Sequence, residues 1–308
     1  MDNLQLLPVP SSLKLVLGSI LLLINKTKSQ YSLPETFEGY TLVKEIKKED
    51  HIPNAGIGVY LKNDKKYLLK FWKGNYKDLN YYYLVNEYNN SILLSQLLPE
   101  NSNIKIPNIK EFIRDRNVYC VVFEYIEGIP GKDLPADEQA KTIESIINIM
   151  NSISINKEGS KSIPKRPLSQ YIINLFIFGF LLCLKCPSRI TLVIKTIYIC
   201  FTLFPYLNTH VLYLAHRDLT PSNFIISEDK IYLLDCENIA FTLYGYDISY
   251  ISVLLDSTYL SQHLAQSKHD KQNLFLQLYI ALHHAIGSGN FFEIEESNIK
   301  FLEKKLYV

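Results

Sequence analysis

The sequence predicts an α+β chain of two lobes, strand-rich first and helix-rich after, changing character near residue 128. Three observations predict this. Short apolar runs bounded by turn residues fill 41–72 and recur at 109–125. Apolar residues at helical spacing take over from 137 onward. Strands collected in one half and helices in the other belong to α+β folds rather than alternating α/β ones. The domains read as an apolar N-terminal extension (1–36), a first lobe (37–126) and a second lobe (127–308).

Thr41 to Ile46, Gly58 to Lys62 and Lys66 to Trp72 predict three strands. They are separated first by Pro53, Asn54, Gly56 and Gly58, then by Asn63 and Asp64. Leu84 to Leu98 predicts a helix ending at Pro99. Ile109 to Ile113 and Val118 to Tyr125 predict a hairpin turning at Asp115-Arg116-Asn117. Further on, Asp137 to Met150 predicts a helix, followed by a polar loop, Asn151 to Pro167. Two very apolar helices come next, Leu168 to Leu184 and Arg189 to Phe204. Short extended runs are expected at Val211 to Ala215, Phe224 to Ser227 and Ile231 to Asp235. Helices are expected at Gly245 to Leu255 and Lys271 to Ile286.

Composition narrows the class. The chain has 308 residues, 47% of them hydrophobic, enough to bury a sizeable core. A net charge of +1 gives no field to steer nucleic acid, and the aromatics are mostly Tyr, not interleaved with basic clusters. Five cysteines make no disulfide framework and point to a reducing, cytoplasmic compartment. Cys183 and Cys186 form a C-x-x-C pair without a second metal-binding pair. They read as thiols at a helix end, with metal or redox chemistry as the alternative. Leu13 to Ile24 is an apolar run shorter than the roughly 20 residues a spanning helix needs. It reads as a packed helix, with an interfacial anchor as the alternative.

The strongest chemical signal is His216-Arg217-Asp218-Leu219-Thr220-Pro221-Ser222-Asn223, directly after an apolar run. Phosphoryl transfer needs a carboxylate to accept the proton of the attacking hydroxyl, and oxygen ligands for Mg²⁺. Asp218 and Asn223 on one tight loop can supply a base and a metal ligand. Asp235, closing Ile231-Tyr232-Leu233-Leu234, can supply the second ligand. His283 and His284 lack acidic partners at ligand spacing and read as structural.

Leu214 to Glu237 resembles the catalytic core of the protein-kinase-like phosphotransferases, most closely the aminoglycoside and choline phosphotransferase branch. That branch has H-G-D-x-x-x-x-N followed by D-[FWY]-E. Here Arg217 replaces the Gly, and Asp235-Cys236-Glu237 supplies the D-x-E. Tyr244-Gly245-Tyr246-Asp247-Ile248-Ser249 partly matches the branch's G-D-P-x-x-D-L-A, and Asp247 fits as a helix N-cap bracing the catalytic loop. Tyr67-Leu68-Leu69-Lys70-Phe71-Trp72 is similar to the third strand of the small lobe. The resemblance makes Lys70 the phosphate-binding lysine and Glu87 its ion-pair partner. Phe123-Glu124-Tyr125-Ile126-Glu127-Gly128 resembles the interlobe hinge, whose backbone at Glu124 and Ile126 would meet the adenine edge. Gly56 and Gly58 stand where the phosphate-covering loop would be, with an ordinary hairpin turn as the alternative.

The resemblance implies ATP and Mg²⁺ as cofactors and a small-molecule or sugar acceptor, with no nucleic acid partner. A glycan or lipid-linked acceptor at the cytoplasmic membrane surface is a second reading. It would follow if residues 168–204 formed a membrane-facing hairpin rather than core helices. No A-P-E-like stretch follows Asp235, which disfavours a protein kinase. A pseudokinase would need a broken constellation, and here it is intact.

Overall fold

The computed structural model describes residues 32–47, 55–74, 79–254, 270–286 and 296–307. The apolar run expected at Leu13 to Ile24 lies outside them. The chain divides into two compact units: the residues up to Pro130 together with Phe224–Asn238, and Gly131–Asn223 together with Ile239–Val308.

The first unit is built on a sheet of six strands. They are β1 (Thr36–Phe37), β2 (Tyr40–Lys47), β3 (Ala55–Lys62), β4 (Lys65–Lys73), β6 (Ile109–Asp115) and β7 (Val118–Glu124), in spatial order β1-β2-β3-β4-β7-β6. All its pairings are antiparallel. Period-two alternation sends β4 and β7 side chains to opposite faces. Leu69, Phe71, Cys120 and Val122 enter one core cluster with Tyr60 and Phe37. Trp72, Tyr119, Val121 and Phe123 enter another, under helix α1 (Leu79–Leu97), whose Leu84, Tyr88 and Ile92 face them at helical spacing. Lys70, two residues before Trp72, is carried to the α1 face by the same alternation.

A smaller sheet in this unit joins β5 (Ile104–Lys105), β8 (Ile129–Pro130), β10 (Phe224–Ser227) and β11 (Lys230–Leu233). The sequence-based division places the 224–238 segment in the second lobe, from residue 127 onward. Its ladders reach both sides of that boundary: β11 runs parallel to β5 and β10 antiparallel to β8, and by contacts the segment clusters with the residues up to Pro130.

The second unit is helical. Its elements are α2 (Ala136–Ser152), α3 (Leu168–Lys185), α4 (Ile190–Leu203), α5 (Tyr246–Leu254), α6 (Asp270–Ala285) and α7 (Glu296–Tyr307). They are joined by a short antiparallel ribbon of β9 (Tyr213–Ala215) and β12 (Ala240–Thr242). Helix α6 is the centre of the core: Phe275, Leu276, Leu278, Ile280 and Leu282 are fully buried.

For 168–184 and 189–204 the sequence favours core helices, with a membrane-facing hairpin as the alternative, and the structure covers them only in part. Only one face of each is buried: Tyr171, Leu175, Gly179 and Leu182 on α3, and Leu192, Val193, Thr196, Cys200 and Leu203 on α4. Those faces have α6 and, for α4, α7 as neighbours. Gly179 makes room for the neighbouring helix, since a Cβ there would lie 2.5 Å from Ile197 Cδ1. No other described layer covers the opposite faces, so Phe176 and Phe180 stand in solvent.

Candidate active site

The first unit gathers a cationic cluster. The Lys70 Nζ lies 2.8 Å from Asp235 Oδ1 and 3.2 Å from Glu87 Oε1. Glu87 is 3% exposed and sits on the sheet-facing side of α1, one turn from Leu84 and beside Tyr88. Burial works against the Lys70 charge, but Asp235, Glu87 and Glu237 outweigh it and hold the ammonium well above the usual lysine range. Lys70 is therefore charged at neutral pH. Sequence reasoning brought Lys70, Glu87 and Asp235 to one place, and the structure places them together.

Asp235 follows β11 with a positive φ of 61°, a backbone state that Asp tolerates better than most residues. The turn after it is tied to α1, because Asn90 Nδ2 donates to the carbonyl oxygens of Cys236 (2.9 Å) and Glu237 (3.3 Å). Carboxylate oxygens of Glu87, Asp235 and Glu237 lie within 4.8 Å of one another. Three carboxylates against one ammonium leave a surplus of negative charge formed by hard oxygen donors, which suits a divalent cation such as Mg²⁺. Lys70, Glu87, Asp235, Glu237, Gly56 and Tyr83 are among the residues lining a cavity of about 60 Å³.

The remaining first-unit residues separate. Gly56 lines the cavity, whereas Gly58 faces the core: a Cβ there would meet Tyr60, Leu33 and Leu42 at 2.9–3.0 Å. That packing, independent of any phosphate, explains a glycine at 58. The Glu124 carboxylate accepts from the Asn108 N–H (3.0 Å) and Nδ2 (2.8 Å), and its own N–H donates to the Asn108 carbonyl. Ile126 follows the end of β7, and neither residue lines the cavity.

The second unit holds the loop after β9. The Asn223 Nδ2 donates to the Asp218 backbone oxygen (2.7 Å) and to its Oδ2 (3.2 Å), closing the loop on itself. Arg217 has a φ of +69°, so the chain turns sharply just before Asp218. The backbone N–H groups of His216 and Arg217 donate to the two oxygens of Asp247, at 2.9 and 2.7 Å. Burial pushes the Asp247 carboxyl up, while His216, Arg217 and these bonds pull it back. Asp247 thus braces the loop as expected, though not as an N-cap: it lies inside the first turn of α5, and its carboxylate leaves the helix.

Tyr250, one turn further along α5, donates its hydroxyl to Asp218 Oδ1. Burial first, then the Asp218 charge, raise its pKa, so the phenol keeps its proton and remains a donor. Sequence reasoning missed Tyr250, Asn90 and any role for Glu237. Only Glu237 had left a trace, in the D-x-E spacing. His283 and His284 lie on α6, stacked on Phe178 and edge-on to Tyr250 respectively. Cys183 and Cys186 carry no disulfide, and among the described residues neither belongs to a group able to hold a metal.

No family model and no curated protein matches the chain. Solved structures do. A thermostable mutant of the aminoglycoside phosphotransferase APH(4)-Ia, in ternary complex with ADP and hygromycin B, superposes with a TM-score of 0.64 at 9% identity, covering 87% of this chain and 92% of its own. The fold is protein-kinase-like. Spectinomycin phosphotransferase APH(9)-Ia, in complex with ADP and spectinomycin, gives 0.57 at 12% identity, over 86% and 90% of the two chains. Choline kinase from Cryptosporidium parvum gives 0.51 at 16%, over 88% and 89%. The likeness to these phosphotransferases and this kinase is one of fold, a strand-rich N-terminal sheet followed by a helical C-terminal region.

Proposed function

We propose that this chain is a phosphotransferase that moves the γ-phosphate of ATP to a hydroxyl of a small molecule, a sugar or an amino alcohol, in the cytoplasm. The observation that carries the reading is Lys70, a largely buried ammonium 2.8 Å from Asp235 and 3.2 Å from Glu87, beside a cavity. In this reading Lys70 is a fixed positive charge for the phosphates, and Glu87 orients it. Asp235 and Asn223 would hold Mg²⁺, which when bound neutralises charge on the phosphates. Asp218 accepts the proton of the acceptor hydroxyl, and the backbone around Glu124 and Ile126 meets the adenine edge. The neighbours that carry ADP with hygromycin B or spectinomycin support ATP as donor and a small molecule as acceptor.

The test is ADP release from Mg²⁺-ATP across a panel of sugars, aminoglycosides and choline. At least one acceptor is expected to raise release well above the acceptor-free rate. If ATP fails to bind at all, the reading is wrong.

A further inference from the structure

The α3–α4 hairpin separates its polar and apolar groups in a way the proposed chemistry does not use. Residues 168–206 contain no Asp or Glu, and their cations are Lys185, Arg189 and Lys195. All three are turned toward the C-terminal helices. The Lys185 ammonium donates to the Ile286 carbonyl, Arg189 pairs with Glu303 and lies 3.8 Å from Glu296, and the Lys195 ammonium donates to the Leu306 carbonyl at 2.6 Å.

The opposite side is an exposed apolar stripe. Ile173, Phe176, Phe180 and Leu184 on α3 are 54–64% exposed, and Ile194 and Tyr198 on α4 are 61% and 67% exposed. The spacing of three and four residues puts each set on one helix face. The Phe176 and Phe201 rings, 5.6 Å apart, join the two faces. Helix α3 is 18 residues long, about 27 Å at 1.5 Å per residue. Among the stripe side chains only Tyr198 has a hydrogen-bonding group. A protein–protein interface ordinarily makes about one hydrogen bond per 100–200 Å². A surface so poor in polar groups fits hydrocarbon better than another protein.

The rim carries positive charge. Lys161 and Lys165, both exposed, precede α3, and the Lys271 Nζ sits 3.5 Å over the ring of exposed Tyr206, just past α4. The helices run antiparallel, so these groups share the open end of the hairpin. Tyrosines and lysines at the edge of an apolar surface complement anionic headgroups.

We propose that the α3–α4 face rests in the surface of an anionic lipid bilayer. It lies along the interface and does not cross it, because Leu175, Leu182, Val193 and Cys200 on the same helices are buried in the protein. The placement is independent of the phosphotransferase reading.

Flotation of the purified full chain with vesicles of equal parts phosphatidylcholine and phosphatidylglycerol tests it. The chain is expected to float and to stay bound in high salt, since apolar insertion is not screened. Phe180→Ser with Ile194→Ser should lower partitioning at least about tenfold, with thermal melting unchanged because both side chains are exposed. Three results would each overturn the proposal. One is a wild-type chain that does not float. Another is a double variant that floats as well as wild type. The third is a stable dimer that dissociates on double substitution and never binds vesicles.

Discussion

At the scale of single residues, the Asp218 carboxylate is held from two sides, by Tyr250 on Oδ1 and by Asn223 on Oδ2. A hydrogen bond to a charged group contributes about 1.5–3 kcal/mol; if Asp218 is the proposed base, Tyr250 would orient its carboxylate toward the incoming hydroxyl. Tyr250→Phe removes that bond and little volume. Phosphotransfer is expected to fall about tenfold or more with the melting temperature nearly unchanged, in steady-state kinetics beside a thermal melt. An unchanged kcat would make Tyr250 a packing residue only. Residue type and spacing singled out Asp218, Asn223 and Asp235, and the family resemblance added Lys70 and Glu87; the structure brings Lys70, Glu87 and Asp235 into one cluster and Asp218 and Asn223 into one loop. Tyr250 was not, because its contact with Asp218 spans 32 positions and a tyrosine near a helix start announces no chemistry. Gly58 marks the converse case. In sequence it looked like part of a phosphate loop, and in the fold it makes room for Tyr60, Leu33 and Leu42.

At the scale of elements, the loop at 216–223 depends on α5. Asp247 satisfies two backbone N–H groups of the loop, and both bonds lie in buried or half-buried surroundings. Leaving a buried donor without an acceptor costs about 1–3 kcal/mol. Asp247→Ala should therefore lower unfolding free energy by about 3 kcal/mol in urea titrations, and should lower activity in the protein that remains folded. A loss below about 0.5 kcal/mol, the ordinary scale of surface substitutions, would show that the loop holds its shape without α5. Long periodic elements, such as α2 with Ile143, Ile146, Ile147 and Met150 inward, were readable from spacing. The strands β5, β8 and β12, two or three residues each, were not, because so short a strand exists only through its partner. Helix α7 was also missed. Its apolar face is only Ile299, Leu302 and Leu306 in a polar, charged segment.

At the scale of the whole molecule, the change from a strand-rich to a helical half was legible, while the pairing partners of 224–238 were not. That hairpin joins the first unit through β11 pairing with β5, Ile231 opposite Ile104, a contact no local pattern encodes. The apolarity of α3 and α4 was equally visible in sequence. Which half of each helix would be covered depended on where α6 and α7 pack. The central claim is that the chain transfers phosphate from ATP to a hydroxyl, with Asp218 as the proposed base. The most direct measurement compares the wild type with Asp218→Asn for acceptor-dependent ADP release and, separately, for Mg²⁺-ATP affinity by calorimetric titration. Loss of a positioned base costs about 10²–10⁴-fold, so turnover in the variant should fall at least about 100-fold while ATP affinity stays within a few-fold of wild type. A variant that turns over at the wild-type rate would contradict the account.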